Sequence, residues 1–188
     1  MVQTNYIEAP FEHNTKIKIL AISGKAQHGK DTFAELLREE LVSRGHRVLV
    51  THYADLLKYI CKTFFHWDGN KDEAGRRILQ YVGTDVVRKQ CPDFWVSFVV
   101  SIIQMFSENW DYVLIPDTRF PNEIDMLKQY FDDVEHIRVT RINFESTLTE
   151  EQKSHPSEVA LDHIIPDRAY INGGTIDDIR TDLKNWVF

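Results

Sequence analysis

A chain of 188 residues that is 43% hydrophobic and 27% charged has the makeup of one compact globular domain, with too little length for a second independent core. Its formal net charge of -7, with no basic block, excludes a nucleic-acid binder that works by neutralising phosphates; its cations need a local explanation, such as one small anionic ligand. Cys61 and Cys91 have no metal-ligand spacing and read as reduced thiols of a cytoplasmic protein.

The opening MVQTNYIEAPFEHNTK has neither the basic nor the apolar region of a signal peptide, and residues 1–15 read as a loose polar arm. Lys16–Ser23 (KIKILAIS) predicts a buried strand. After the loop Gly24–Thr32, Phe33, Leu36, Leu37 and Leu41 recur at helical spacing, and Gly45 marks the helix end. Arg47–Tyr53 is a second strand, Ala54–Phe65 a helix, and His66–Glu73 a polar connection. Gly75–Gln90 and Asp93–Asn109 read as two helices broken at Cys91-Pro92.

The most apolar run, Phe94–Phe106, carries Ser97, Ser101 and Gln104 and is too short to span a bilayer. Its two stripes, Phe94/Phe98/Ile102/Met105 and Trp95/Val99/Ile103/Phe106, predict a helix buried nearly all round, in the core or at a subunit interface. Tyr112–Pro116 is a short strand, Pro121–Phe131 a helix with proline in its first turn, and Val134–Thr140 a strand. Arg141–His155 is polar and aperiodic, the length of a functional loop. A helical turn at Ser157–Asp162, a strand at Ala169–Asn172 and a helix from Thr175 to Phe188 complete the chain. Thr175 and Asp178 form a capping box with aspartate in place of glutamate.

Strands alternating with helices predict an α/β fold, a parallel sheet with helices on both faces. Ligands of such sheets bind at the carboxyl ends of the strands, and the unusual clusters fall there: after Ser23, Tyr53, Pro116 and Thr140.

The first cluster, GKAQHGKDT, nearly matches the phosphate-loop pattern G-x-x-x-x-G-K-[ST], except that Asp31 stands where Ser or Thr holds Mg²⁺ and Thr32 comes one position late. Gly24 and Gly29 let successive backbone N–H groups point at phosphate oxygens, the helix start adds its positive dipole end, and Lys30 reaches the terminal phosphates. A glycine-rich turn would also join strand to helix, but would not need Lys30 in register.

In YVLIPDTRFPNE, Asp117 ends a strand where an acidic residue helps hold Mg²⁺, and Arg119 can neutralise a transferred phosphoryl group; the same residues also suit a plain turn. Gly83 in QYVGTDVVR costs a helix about 1 kcal/mol, which implies close approach of a ligand or neighbouring chain, or a break. Arg88 reads as an acceptor-phosphate contact, whereas Arg76, Arg77 and Lys89 read as a solvated basic face. Arg138 and Arg141 flank the polar loop, a candidate lid. His155, in SHPSE, has no assigned role.

GKAQHGKDT, LQYVGTDVVR with DFWV, YVLIPDTRFPNEID and HPSEVALD, in this order, resemble the deoxynucleoside monophosphate kinases typical of bacteriophages, from about Ile17 to the C-terminus. Animal phosphomevalonate kinase is similar in pattern. The resemblance implies a single P-loop kinase domain over 1–188, with a helical acceptor-binding segment at about 54–110 and a lid loop at about 141–156. It implies that Gly24, Gly29, Lys30, Asp31, Thr32 and Arg141 serve ATP, and that Asp31, Thr32 and Asp117 hold Mg²⁺. Asp55, Lys58, Gly83, Asp85, Arg88, Trp95 and Glu158 would face the acceptor. Lys30, Asp117, Arg119 and Arg141 would act in transfer. Related chains often place proline after the first of these aspartates, where this one has Leu56.

A hydroxyl acceptor must lose a proton to a base; a monophosphate is already anionic and needs cations instead. Arg88, Arg119, Arg138 and Arg141 with Lys30 and Lys58 suit the second case, so the expected activity is transfer from ATP to a (deoxy)nucleoside monophosphate. The alternatives are a kinase of another small metabolite, such as phosphomevalonate or dephospho-coenzyme A, and a non-catalytic nucleotide-binding or ATPase module. Expected partners are ATP and the monophosphate, with neither nucleic acid nor membrane, and a homodimer is possible.

Overall fold

The computed structural model describes residues 16–70 and 72–186, so the expected arm at 1–15 and the end of the last expected helix lie outside the described residues. β1 (Lys18–Ser23), β2 (Val48–Val50), β3 (Tyr112–Thr118), β4 (Asp133–Arg141) and β5 (Arg168–Asn172) form one sheet. The strand order is β2-β3-β1-β4-β5, and every pairing is parallel.

The sheet buries both faces because its central strands are apolar at successive positions. Ile19, Ala21, Val113 and Ile115 meet α2 (Ala54–Phe64), α4 (Phe94–Met105) and α5 (Pro121–Tyr130). Leu20, Ile22, Leu114, Ile137 and Val139 meet α1 (Lys30–Ser43) and α8 (Ile176–Lys184). Phe33 of α1 is fully buried against Tyr170 and Trp186; its truncation to alanine would cost about 3–5 kcal/mol.

Four local expectations change. β3 runs through Pro116 to Thr118, two residues past the expected end. Pro116 lies beyond the last pairing with β2 and at a register shift against β1, so its missing N–H breaks no regular ladder.

The expected helix Gly75–Gln90 is α3 (Glu73–Gln80) followed by a π-helical segment, Tyr81–Arg88. The wider turns bring the Gly83 carbonyl to the Trp95 indole N–H at 3.0 Å. A Cβ at Gly83 would stand 2.7 Å from Leu57 Cδ2, so the neighbour that comes close there is a side chain of α2.

α4 is not buried all round. Trp95, Val96, Val99, Val100 and Ile103 are buried, but Phe94, Phe98 and Met105 are 40–49% exposed. Trp95, Val99 and Ile103 of one expected stripe thus lie in the core, while Phe94, Phe98 and Met105 of the other are exposed in the single chain.

The aperiodic stretch after β4 holds two short helices, α6 (Glu150–Ser154) and α7 (Pro156–Val159). Thr149 and Gln152 cap α6 reciprocally, and Thr175 and Asp178 cap α8 in the same way. Among the described residues, no helix is long and apolar enough to cross a membrane.

Candidate active site

At the carboxyl end of β1 the chain enters the loop Gly24–Gly29. Gly24 has φ 145°, and a Cβ there would lie 2.2 Å from the Val139 carbonyl of β4. Gly29 has φ 87° and hands the chain to α1, where a Cβ would meet the Asn172 amide at 2.7 Å. The loop is therefore pressed against β4 and β5, and only glycine fits at its two hinges.

Lys30 is 7% exposed and donates from Nζ to the Lys25 carbonyl at 2.9 Å, closing the loop. Burial, then the Arg119 charge, lower its pKa to about 8, against the pull of Glu158, Asp31 and Asp117. A buried ammonium whose pKa is lowered in this way becomes easier to charge when an anion arrives beside it.

The loop opens onto a cavity of about 650 Å³ bounded by α1, the end of β2, α2, the π segment, β3 and α7. Of the residues expected in the site, Lys30, Asp31, Lys58, Gly83, Arg88, Trp95, Asp117, Arg119 and Glu158 line it. Gly24 lines a smaller adjoining cavity with Lys25, Arg138 and Thr140.

Thr32 is exposed and outside the cavity wall. Asp85 is exposed and faces Lys89 at 3.6 Å; Thr84 lines the cavity instead. Arg141 is exposed and stacks over Phe144 at 4.7 Å, while its N–H approaches His28 Nδ1 at 3.3 Å, beside the loop and away from the main cavity. Arg76, expected on a solvated face, lines the cavity, whereas Arg77 pairs with Glu73 at 2.8 Å in solvent.

The carboxylates divide the labour. Asp117 at the end of β3 accepts the Tyr53 and Ala54 N–H groups, each at 3.0 Å, one on each oxygen. It caps α2 from another strand, satisfying donors that no residue of α2 satisfies. Asp55 in the first turn of α2 accepts from Lys58 Nζ at 2.9 Å and from the His52 N–H at 3.1 Å. Burial opposes its ionisation, but Lys58 and His52 hold its pKa below the usual value.

Asp31 projects from the start of α1 with a side chain 79% exposed, and His52 Nε2 lies 3.3 Å from it. That hydrogen bond raises the His52 pKa against burial. Glu158 is buried under the loop: it accepts the Ala26 N–H at 2.8 Å and pairs with the Arg119 guanidinium. Trp95 is buried and its indole N–H is committed to Gly83, so it contributes an apolar wall.

Sequence reasoning missed His52, Glu123 and Thr84. His52 stands at a strand end, where a position-based search would find it. Glu123 lies in YVLIPDTRFPNE with Asp117 and Arg119, but the sequence gives it no role of its own.

A parallel sheet in this order, with a buried lysine in a glycine-hinged loop over an arginine-lined cavity, defines a P-loop kinase fold. A family model described as deoxynucleotide monophosphate kinase matches residues 50–183, and the chain belongs to that family. The deoxynucleotide monophosphate kinase of Enterobacteria phage T4 is 29% identical over 112 residues, covering 58% of this chain and 44% of that protein. A protein of Acanthamoeba polyphaga mimivirus whose name carries the same activity is 26% identical, covering 90% of this chain and 95% of its own length. The chain thus spans less than half of the phage relative and nearly all of the mimivirus one.

Among solved structures, the APS kinase of Mycobacterium tuberculosis in complex with AMPPNP and APS has a TM-score of 0.53 at 12% identity, covering 89% of this chain and 95% of that one. A sugar kinase from Janibacter sp. has a TM-score of 0.52 at 9% identity, covering 90% and 94%. At such identities these two likenesses speak to the fold alone.

Proposed function

We propose that the chain transfers the γ-phosphoryl group of ATP to a deoxynucleoside monophosphate, giving ADP and the diphosphate. The observation that carries this reading is one cavity lined by Lys30 of the loop, Arg88 of the π segment and Arg119 after β3. The donor phosphates would lie against the loop N–H groups and Lys30, and the acceptor phosphate against Arg88. Arg119 would face the group in flight.

The three buried or half-buried carboxylates that line the cavity are engaged: Asp117 by two N–H groups, Glu123 and Glu158 by N–H groups and arginines. That arrangement suits an acceptor whose attacking oxygen is already anionic and needs no base. The α2 start, fixed by Asp117, places Lys58 on the acceptor wall; Asp55 acts through Lys58. Gly83, Trp95 and Thr84 shape the pocket, and Arg141 with Phe144 flanks the donor side.

Mg²⁺ fits the donor set. Asp31 is open to solvent beside Lys30, and each Asp117 oxygen keeps a lone pair. An ion that shares its shell with phosphate oxygens and water needs only one or two protein ligands. Bound there, the ion would neutralise charge on the triphosphate; Asp31 would hold it directly or through water. We place this chemistry in the cytoplasm, with segment 54–110 serving the acceptor and 141–156 covering the loop. A homodimer would use the exposed face of α4.

Lys30→Ala tests the reading. Transfer should vanish while thermal unfolding stays cooperative; near-normal turnover would remove Lys30, and with it the loop, from the mechanism.

A further inference from the structure

Glu123 is a buried acid that the transfer chemistry above does not require. It is 2% exposed, at the start of α5. Its Oε2 accepts the Arg119 N–H at 2.7 Å and the Phe120 N–H at 3.0 Å. Its Oε1 accepts from Arg88 Nη2 at 2.7 Å. The Arg88 guanidinium also lies over the Phe120 ring at 3.8 Å and reaches Asn122 Oδ1 at 3.3 Å.

A helix-start glutamate normally caps from the surface, where its free oxygen stays in water. Here the second oxygen is withdrawn from solvent to take a guanidinium. Removing both ions from water costs more than a well-packed apolar pair would, so stability alone does not explain the choice.

We infer that Glu123 is a positioning residue for the acceptor phosphate: one carboxylate fixes the Arg88 guanidinium and the Arg119 backbone, so both arginines open onto the same space. This rests on the phosphoryl-transfer reading. One oxygen sets the strand-end turn that aims Arg119. The other holds Arg88 flat against Phe120; with Nη1 taken by Asn122 Oδ1 and the Pro92 carbonyl at 3.4 Å, Nε–H and the second Nη2 hydrogen are the donors left for the ligand.

The protonation state supports the geometry. Burial lifts the Glu123 pKa to about 7, against the pull of Arg88 and the Arg119 and Phe120 N–H groups, while Asp117 on β3 lifts it further. Tyr53, at the start of α2, also feels its charge. Below neutrality the acid form no longer carries the charge that holds Arg88, so acceptor binding should weaken there.

The test is steady-state kinetics and acceptor binding for Glu123→Gln, which keeps an oxygen for the backbone N–H groups. The acceptor KM should rise on the order of tenfold, with the KM for ATP within about twofold, as expected on losing one charged hydrogen bond. The wild-type rise in acceptor KM from pH 8 to pH 6 should flatten in the variant. Glu123→Gln added to Arg88→Gln should cost little more than Arg88→Gln alone.

Glu123→Asp keeps the charge and should keep the pH dependence with a smaller rise, which covers the case in which glutamine does not fold. Equal rises in both KM values, an unchanged pH profile, or additive effects with Arg88→Gln would overturn the inference. If the wild-type chain transfers to no deoxynucleoside monophosphate, the underlying reading fails. If it transfers and Glu123→Gln leaves the acceptor KM unchanged, the inference fails alone.

Discussion

Glu158 and Ala26 are joined across the phosphate loop: the Glu158 carboxylate accepts the Ala26 N–H at 2.8 Å and pairs with Arg119 through its other oxygen. A carboxylate thus stands at the loop proposed to take the donor phosphates, whereas the resemblance implies that Glu158 faces the acceptor. Arriving phosphates would meet this charge, so Glu158→Gln should bind Mg²⁺-free ATP several-fold more tightly, on the order of 1 kcal/mol. Calorimetric titration checks it; unchanged or weaker binding would mean that Glu158 stays in place beside the phosphates.

Lys30 should take up protons as nucleotide binds. Its pKa of about 8, lowered by burial and the Arg119 charge, should rise once a phosphate anion lies against the ammonium. Calorimetry at pH 8 to 9 in buffers of different ionisation enthalpy should show net proton uptake on ATP binding, absent in Lys30→Met.

Asp117→Asn should loosen α2. Asparagine has one acceptor oxygen for two N–H groups, so the Tyr53 or Ala54 donor is left facing an amide. A loss of about 1–2 kcal/mol in denaturant unfolding is expected, with a higher acceptor KM.

His136 makes stability pH-dependent. Fully buried beside the loop strand, it hydrogen-bonds Ser23 at 2.7 Å, and burial followed by the Arg138 charge lowers its pKa to about 4. The unfolded chain takes a proton near pH 6.5 and the folded chain does not. Its contribution is therefore fully present above pH 6.5 and is lost as pH falls towards 4. Thermal unfolding from pH 7 to 4.5 should show a smaller drop for His136→Gln than for the wild-type chain.

The alternation of elements, the loop and the strand ends were legible because they are local patterns. What was not legible depends on distant partners. Asp117 acts on a helix start about sixty residues earlier, and Glu158 on a loop more than a hundred residues earlier. The π segment keeps the apolar spacing of an ordinary helix over two turns, so its one signal is Gly83; the contact of the Gly83 carbonyl with Trp95 comes only with the fold. Asp85 and Arg88 sit on one quoted motif, yet the segment turns only Arg88 inward.

The most direct measurement is product analysis with ATP, Mg²⁺ and each deoxy- and ribonucleoside monophosphate in turn. The account predicts that at least one deoxynucleoside monophosphate becomes its diphosphate, with ADP formed in equal amount and ATP hydrolysis slow without acceptor. ATP hydrolysis indifferent to every monophosphate, or transfer only to an acceptor of another class, would contradict it.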